Sequence, residues 1–336
     1  MKIVINQIMT VSSPPHMYGT DTIKARMREV LIALSPAFLM ALYHYGARAF
    51  YTTTSAVMAA LLAEYLYQRV MNKPVTVNDY SAAITGVLLA FNLPPDVPLW
   101  LPAVGSFFAI IVVKQLFGGL GSNFMNPALA ARAFLLASFP VYMTNWTLGP
   151  DVVTGATYLA VIKENPAFSP EFSDYMALLF GKVGGCIGET SAVALLLGGV
   201  YLLIKRIINW RIPVFYIGSF VFFALIFGRT GLFTGPQNIL FEVLNGGLIL
   251  GAFFMATDYA TSPITPNGKI VMGIGCGFLT VFIRFFGGYP EGVSYAIIIM
   301  NIFVPLIDKY IRPRVFGHKN SIRRMQMKKS KSAGAG

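Results

Sequence analysis

The sequence predicts an all-α integral membrane protein with about ten transmembrane helices in two inverted five-helix repeats. Three observations carry this expectation. Hydrophobic residues make up 55 % of the 336 and charged residues only 12 %, against about 25 % charged in soluble domains; mean hydropathy is +0.63. Apolar stretches close to the roughly 20 residues that a bilayer requires recur along the chain. The Lys and Arg residues, 26 against 14 Asp and Glu, gather in alternate connections between those stretches.

In order, the stretches are 30–48, 50–70, 80–97, 99–116, 125–143, 185–204, 212–228, 238–257, 269–286 and 293–311. Residues 1–29 before them are mixed polar and basic, without the apolar run of a signal peptide. Lys24, Arg26 and Arg28 precede the first stretch, Arg69 and Lys73 follow the second, and Lys114 closes the fourth. Lys205, Arg206 and Arg211 join the sixth to the seventh, and eight more cations from Arg312 to Lys331 fill the tail. Ten spans put all of these on one side, which the positive-inside rule makes the cytoplasm. The expected organisation is a cytoplasmic segment 1–29, a first membrane repeat 30–143, an extracytoplasmic loop 144–184, a second repeat 185–311 and a basic cytoplasmic tail 312–336. The tail reads as an orienting, lipid-contacting segment, and no nucleic acid is expected as a partner.

Internal similarity supports the repeats. Phe117-Gly118-Gly119 before the fifth stretch recurs as Phe286-Gly287-Gly288 before the tenth. The run Gly86 to Pro95 in the third faces Gly251 to Asp258, then Ser262-Pro263, in the eighth. Five spans per half is odd, so the second half must be inverted, as in many transport proteins; chance likeness among Gly- and Phe-rich segments is the alternative. Asn92 with Pro94-Pro95 interrupts the third stretch, and Thr257 through Pro266 ends the eighth. Such breaks survive in a membrane only where protein, water or a ligand covers the freed backbone.

The loop between the halves holds Asp151-Val152-Val153-Thr154-Gly155-Ala156-Thr157. A Ser/Thr-Gly-Ala-Thr run three residues after an Asp is the target pattern of flavin transferases, which attach FMN through its phosphate to the last Thr. Gly155 and Ala156 leave the backbone open to an enzyme, Thr157 is expected to offer an exposed hydroxyl, and Asp151 and Thr154 stand near to help bind a metal-phosphate leaving group. Ahead of that loop, a glycine-rich turn leads through Asn123 to Asn126-Pro127 at the entrance of the fifth stretch. Asn126 reads first as a helix N-cap with Pro at the first helical position. Asn123 has no such reading, and side-chain amides also pair with the donor and acceptor edge of an isoalloxazine ring. Arg132, Glu189 and Asp258 are intramembrane charges, each open to a structural pairing or to an ion or flavin role. Glu64 and Glu242 lie near segment ends, where snorkelling or capping is expected. Cys186 and Cys276 are far apart in apolar surroundings and read as small packing residues. His16, His44 and His318 are scattered, so no metal site is expected.

Taken together, these residues resemble one family. The chain is similar to the family that contains the D subunit of the Rnf ion-translocating ferredoxin:NAD oxidoreductase and the B subunit of the sodium-translocating NADH:quinone reductase. The resemblance covers nearly all of 20–317 and rests on Gly121 to Phe134, Thr154 to Thr157, Gly188 to Ser191 and Met255 to Pro263. The short segment before the first stretch favours the Rnf member. The resemblance implies ten helices in two inverted repeats, like urea and ammonium channels, in the cytoplasmic (inner) membrane of a bacterium or archaeon with both termini inside. It implies FMN as a phosphoester on Thr157 and a second, non-covalent riboflavin-type flavin at Asn123 and Asn126, with Thr85 and Trp146 as neighbours. It implies electron transfer between ferredoxin and NAD coupled to Na⁺ or H⁺, in a complex with the A, B, C, E and G subunits, following maturation by a flavin transferase. The competing expectation is a non-redox channel of the urea or ammonium type, which fits the broken helices equally but has no use for the Thr157 motif.

Overall fold

The structure is a computed structural model that describes residues 22–148, 153–154, 157–164, 170–181, 184–227, 236–288 and 291–312. Asp151, Gly155 and Ala156, together with 1–21 and 313–336, lie outside the described residues. Nearly all described structure is helical. The exception to the all-α expectation is an antiparallel pair, β1 (Thr147–Leu148) and β2 (Val153–Thr154), with Thr147 opposite Thr154.

A helix occupies each apolar stretch. In the first half these are α1 (Ile23–Tyr45), α2 (Ala47–Val70), α3 (Ser81–Phe91), α4 (Trp100–Phe107) and α5 (Pro127–Ser138), followed by the short α6 (Pro140–Thr144). The loop carries α7 (Tyr158–Glu164) and α8 (Phe172–Phe180). The second half holds α9 (Ala192–Ile204), α10 (Arg211–Phe227), α11 (Pro236–Leu244), α12 (Leu248–Leu250), α13 (Pro266–Phe286) and α14 (Val293–Tyr310). Among the described residues, α13 and α14 are the two helices both long and apolar enough to cross a bilayer unaided; α3, α5, α9 and α10 are shorter apolar helices.

Local chemistry sets the ends. Thr22 Oγ1 accepts from Ala25 N to start α1, Ser191 Oγ from Ala194 N to start α9, and Thr265 Oγ1 from Gly268 N, with Pro266 first, to start α13. Helix α4 continues as a π-helix over Phe108–Gln115, and α12 as another over Gly251–Met255. Wide turns of this kind are rare and occur frequently at functional sites. Helix α3 stops at Phe91, and the segment from Asn92 to Pro95 stays buried, as the broken-helix expectation requires.

Helix α2 packs on α3 and α4, and α10 packs on α13. Small residues allow these approaches: a Cβ on Gly277 would meet Phe220 N at 2.7 Å, and one on Gly86 would meet Val57 Cα at 2.7 Å. Large apolar side chains point outward as well as inward; Leu197 is 61 % and Phe222 57 % exposed. Lipid contact accounts for such a surface, where water would not.

Candidate functional site

Two polar sites lie between the interrupted helices. The first is a cleft enclosing about 90 Å³, lined by residues from both halves. Thr85 reaches it from α3, Asn123 and Asn126 from the turn before α5, and Asp258 from the segment after the second π-helix. Ile84, Leu88, Phe253 and Phe254 supply apolar wall. Four residues singled out by sequence are therefore brought together. Trp146 is not among the lining residues; it is half-buried beside β1, on the loop that follows α6.

Asn126 is the N-cap that its sequence setting requires: Oδ1 accepts from Ala128 N at 3.0 Å and Leu129 N at 3.4 Å, while Nδ2 donates to Met255 O at 3.2 Å. That last bond ties the start of α5 to the end of the second π-helix. Asn123 Nδ2 donates to Met125 O at 3.2 Å. Thr85 Oγ1 donates to Ser81 O, and Thr261 Oγ1 to Asp258 Oδ2. An isoalloxazine pairs its ring edge with amide donors and acceptors and packs its faces on apolar groups, and both kinds of side chain line the cleft.

Lys114 also faces the cleft, which the sequence reading did not foresee. Its Nζ lies 2.8 Å from Glu64 Oε1 and 2.6 Å from Ser81 Oγ, and Gln115 Nε2 donates to the same Glu64 oxygen at 2.7 Å. Glu64 is 1 % and Lys114 2 % exposed. Neither snorkels nor serves as a surface charge: the close contact of α2 with the first π-helix encloses both, and each is stabilised by the other.

The second site centres on Arg132. Nη1 donates to Asn92 Oδ1 at 3.1 Å and Ser294 Oγ at 2.9 Å, and Nη2 pairs with Glu291 and approaches Cys186 Sγ at 3.6 Å. Cys186 donates in turn to Asn92 O at 3.4 Å, so it is no apolar packing residue. Cys276 is one, buried in the core. Glu189 stands beside Cys186 and Glu291, and its Oε1 is shut from solvent with no hydrogen-bond partner. Arg132 is thus paired structurally, while Glu189 keeps one acceptor unspent. Glu291 and Ser294 were missed because each is ordinary in its own segment; the available signal was an acid placed directly before an apolar span.

Thr157 is 6 % exposed, not open as expected, and its Oγ1 accepts from Ala160 N at 3.3 Å as the cap of α7. The cause is the seating of α7 on the second half. The Tyr158 ring packs edge-on against Phe241 at 5.2 Å, its hydroxyl donates to Asp174 Oδ1 at 2.9 Å, and Lys163 Nζ donates to Gly287 O. Burial, then the Asp174 bond, push the Tyr158 hydroxyl up to about 12.

Comparison with known proteins gives a consistent picture. Residues 10–317 match the sequence profile of the NQR2, RnfD, RnfE family. The chain is 50 % identical over 312 residues to the D subunit of the Na(+)-translocating ferredoxin:NAD(+) oxidoreductase complex of Acetobacterium woodii, covering 92 % of this chain and 95 % of that one. It is 44 % identical over 321 residues to the D subunit of the proton-translocating ferredoxin:NAD(+) oxidoreductase complex of Clostridium ljungdahlii, covering 92 % and 96 %. Identity to the D subunit of the ion-translocating oxidoreductase complex of Ectopseudomonas mendocina is 37 % over 325 residues, covering 91 % and 95 %.

Proposed function

Because the chain belongs to the NQR2, RnfD, RnfE family, we propose that it is the membrane electron-carrier subunit of an Rnf-type complex. Electrons pass between ferredoxin and NAD by way of covalent FMN on Thr157 and a second, riboflavin-type flavin, with coupled translocation of Na⁺ or H⁺. The chain works beside the A, B, C, E and G subunits, once a flavin transferase has loaded Thr157, and is not catalytic alone. The observation that carries the reading is the convergence of Thr85, Asn123, Asn126 and Asp258 on one cleft between two interrupted helices.

Bound flavin supplies one- and two-electron transfer. The chain supplies its surroundings. Leu88, Phe253 and Phe254 exclude water from the cleft, and Thr85 and Asn123 offer hydrogen bonds within it. Trp146 is left out of this lining. Charge added inside a low-dielectric region is costly without a compensating cation, which gives redox change and cation uptake a common electrostatic cause. The protein is read as multi-pass, with ten spans in two inverted repeats and both termini cytoplasmic. The paired contacts of α2 with α4 and α10 with α13 support this, as does the Phe-Gly-Gly before α5 and α14. Arg132 and Asn126 cross-tie the ends of both interrupted helices, which weighs against an open solute channel.

The test is direct. Thr157→Ala should abolish covalent flavin fluorescence on a denaturing gel, and mass spectrometry of the 144–182 peptide from the unaltered protein should find an FMN adduct. Fluorescence retained by the Thr157→Ala chain would sink the assignment.

A further inference from the structure

The turn Asn245–Gly247 joins α11 to α12 and touches two parts of the protein that lie far from it in sequence. Gly246 and Gly247 both have positive φ, 64° and 55°, a conformation costly for residues with a Cβ. Each also yields the space that a Cβ would fill. At Gly246 the side chain of Leu159 takes that space, and at Gly247 the carboxylate of Glu189 does, both well inside contact distance of the ideal Cβ. Leu159 is the second residue of α7, the helix that Thr157 caps. One turn is therefore the seat of both the Thr157 helix and a carboxylate of the Arg132 centre.

Arg284 holds this turn. The side chain lies on α13 and is 2 % exposed. Nη1 donates to Glu242 O at 2.8 Å, and Nη2 to Asn245 O at 3.2 Å and Gly246 O at 2.8 Å. These carbonyls lie at the C-terminal end of α11, where a helix runs out of its own donors and where a cation is favoured by the helix dipole. The planar fork of Arg serves three of them at once. Near the end of α13, Gly287 O accepts from Lys163 of α7, so the helix that carries Arg284 grips α7 a second time.

We infer that Arg284 is a positioning residue for the cofactor on Thr157. Through the Asn245–Gly247 turn it fixes α7, and with it the group at the start of α7, relative to Glu189 and Arg132. The inference rests on the reading of Thr157 as the FMN attachment site.

The experiment uses the intact complex purified from membranes, carrying Arg284→Gln, Arg284→Lys, Gly246→Ala, or Gly246→Ala with Leu159→Ala. In-gel fluorescence reports attachment, while spectroelectrochemistry and stopped flow report the midpoint potential and reduction rate of the covalent flavin. All four variants are expected to keep the fluorescent band. Arg284→Gln and Gly246→Ala should shift the potential and slow reduction several-fold, since moving α7 changes both the charge around the covalent group and its distance from its redox partner. Arg284→Lys should shift it less, and Leu159→Ala should return Gly246→Ala only part of the way, because it empties the contested space but leaves the strained φ of 64°. Unchanged potential and rate in Arg284→Gln and Gly246→Ala overturn the inference, as does a band weaker than that of the unaltered protein, which assigns Arg284 to loading instead. If Arg284→Gln does not accumulate, the Gly246 and Leu159 pair decides by the same criteria. Absence of the band from the unaltered complex overturns the Thr157 reading itself, a result distinguishable from the others.

Discussion

Arg132 and Lys114 are buried cations whose partners come from elsewhere in the chain, Glu291 just before α14 for one and Glu64 on α2 for the other. The net worth of such a pair is small, because desolvating both ions offsets most of their attraction. Removing one member is different, since it strands the other charge at a cost of about 3–5 kcal/mol. Arg132→Ala and Lys114→Ala should therefore lose that much stability, a large share of the roughly 5–15 kcal/mol typical of a folded protein. Thermal unfolding in detergent checks this. Glu291→Gln should lose less, because the amide oxygen still accepts from Arg132 and the remaining charge keeps Asn92 and Ser294.

At the scale of elements, α7 and the α10–α13 pair make opposite demands. Gly277→Ala forces a Cβ against Phe220 N, 2.7 Å away on α10, and should destabilise by about 1–3 kcal/mol, read as a lower unfolding midpoint. On the proposed function, helix α7 must release Thr157 before flavin can be attached to it. An apo-complex assembled without the transferase, and then given the transferase with FAD as FMN donor (AMP leaving), should consequently take up covalent flavin slowly, and Leu159→Ala, which loosens the seat, should speed uptake in a gel-fluorescence time course. The seat is also alkali-sensitive. Tyr158 stays protonated up to about 12 when docked and to about 10 when free, so the undocked form releases its proton first. Docking is fully present below pH 10 and weakens as pH rises from about 10 to 12. Cleavage of the loop by an alkaline protease should accelerate across that window, and Tyr158→Phe should abolish the pH dependence while raising the basal rate.

Over the whole molecule, the cleft and Thr157 belong to different connections: the cleft is lined from α3, α5 and the second π-helix, whereas Thr157 stands at the start of α7 between the two halves. The two proposed flavins should be lost independently. Asn123→Leu should keep the fluorescent band on a denaturing gel yet release less free flavin on denaturation, and Thr157→Ala should do the reverse. Co-loss of both in either variant would contradict two separate sites.

The sequence by itself determined the helical class, the position of every apolar helix, the two interruptions, the Asn126–Pro127 cap and the family. These are local or compositional properties: hydropathy over some twenty residues, a Pro that cannot donate, an amide three residues from an orphan N–H. Only the tertiary structure decided that Glu64 meets Lys114, that Arg132 meets Glu291 and Cys186, that Thr157 is closed, and that Arg284 holds the turn beneath it. Each of those contacts joins residues from separate elements, and burial makes it decisive by removing the water that would otherwise satisfy each charge alone. Pattern along a chain records where a helix starts and stops; which buried charge finds which partner depends on how the helices close on one another.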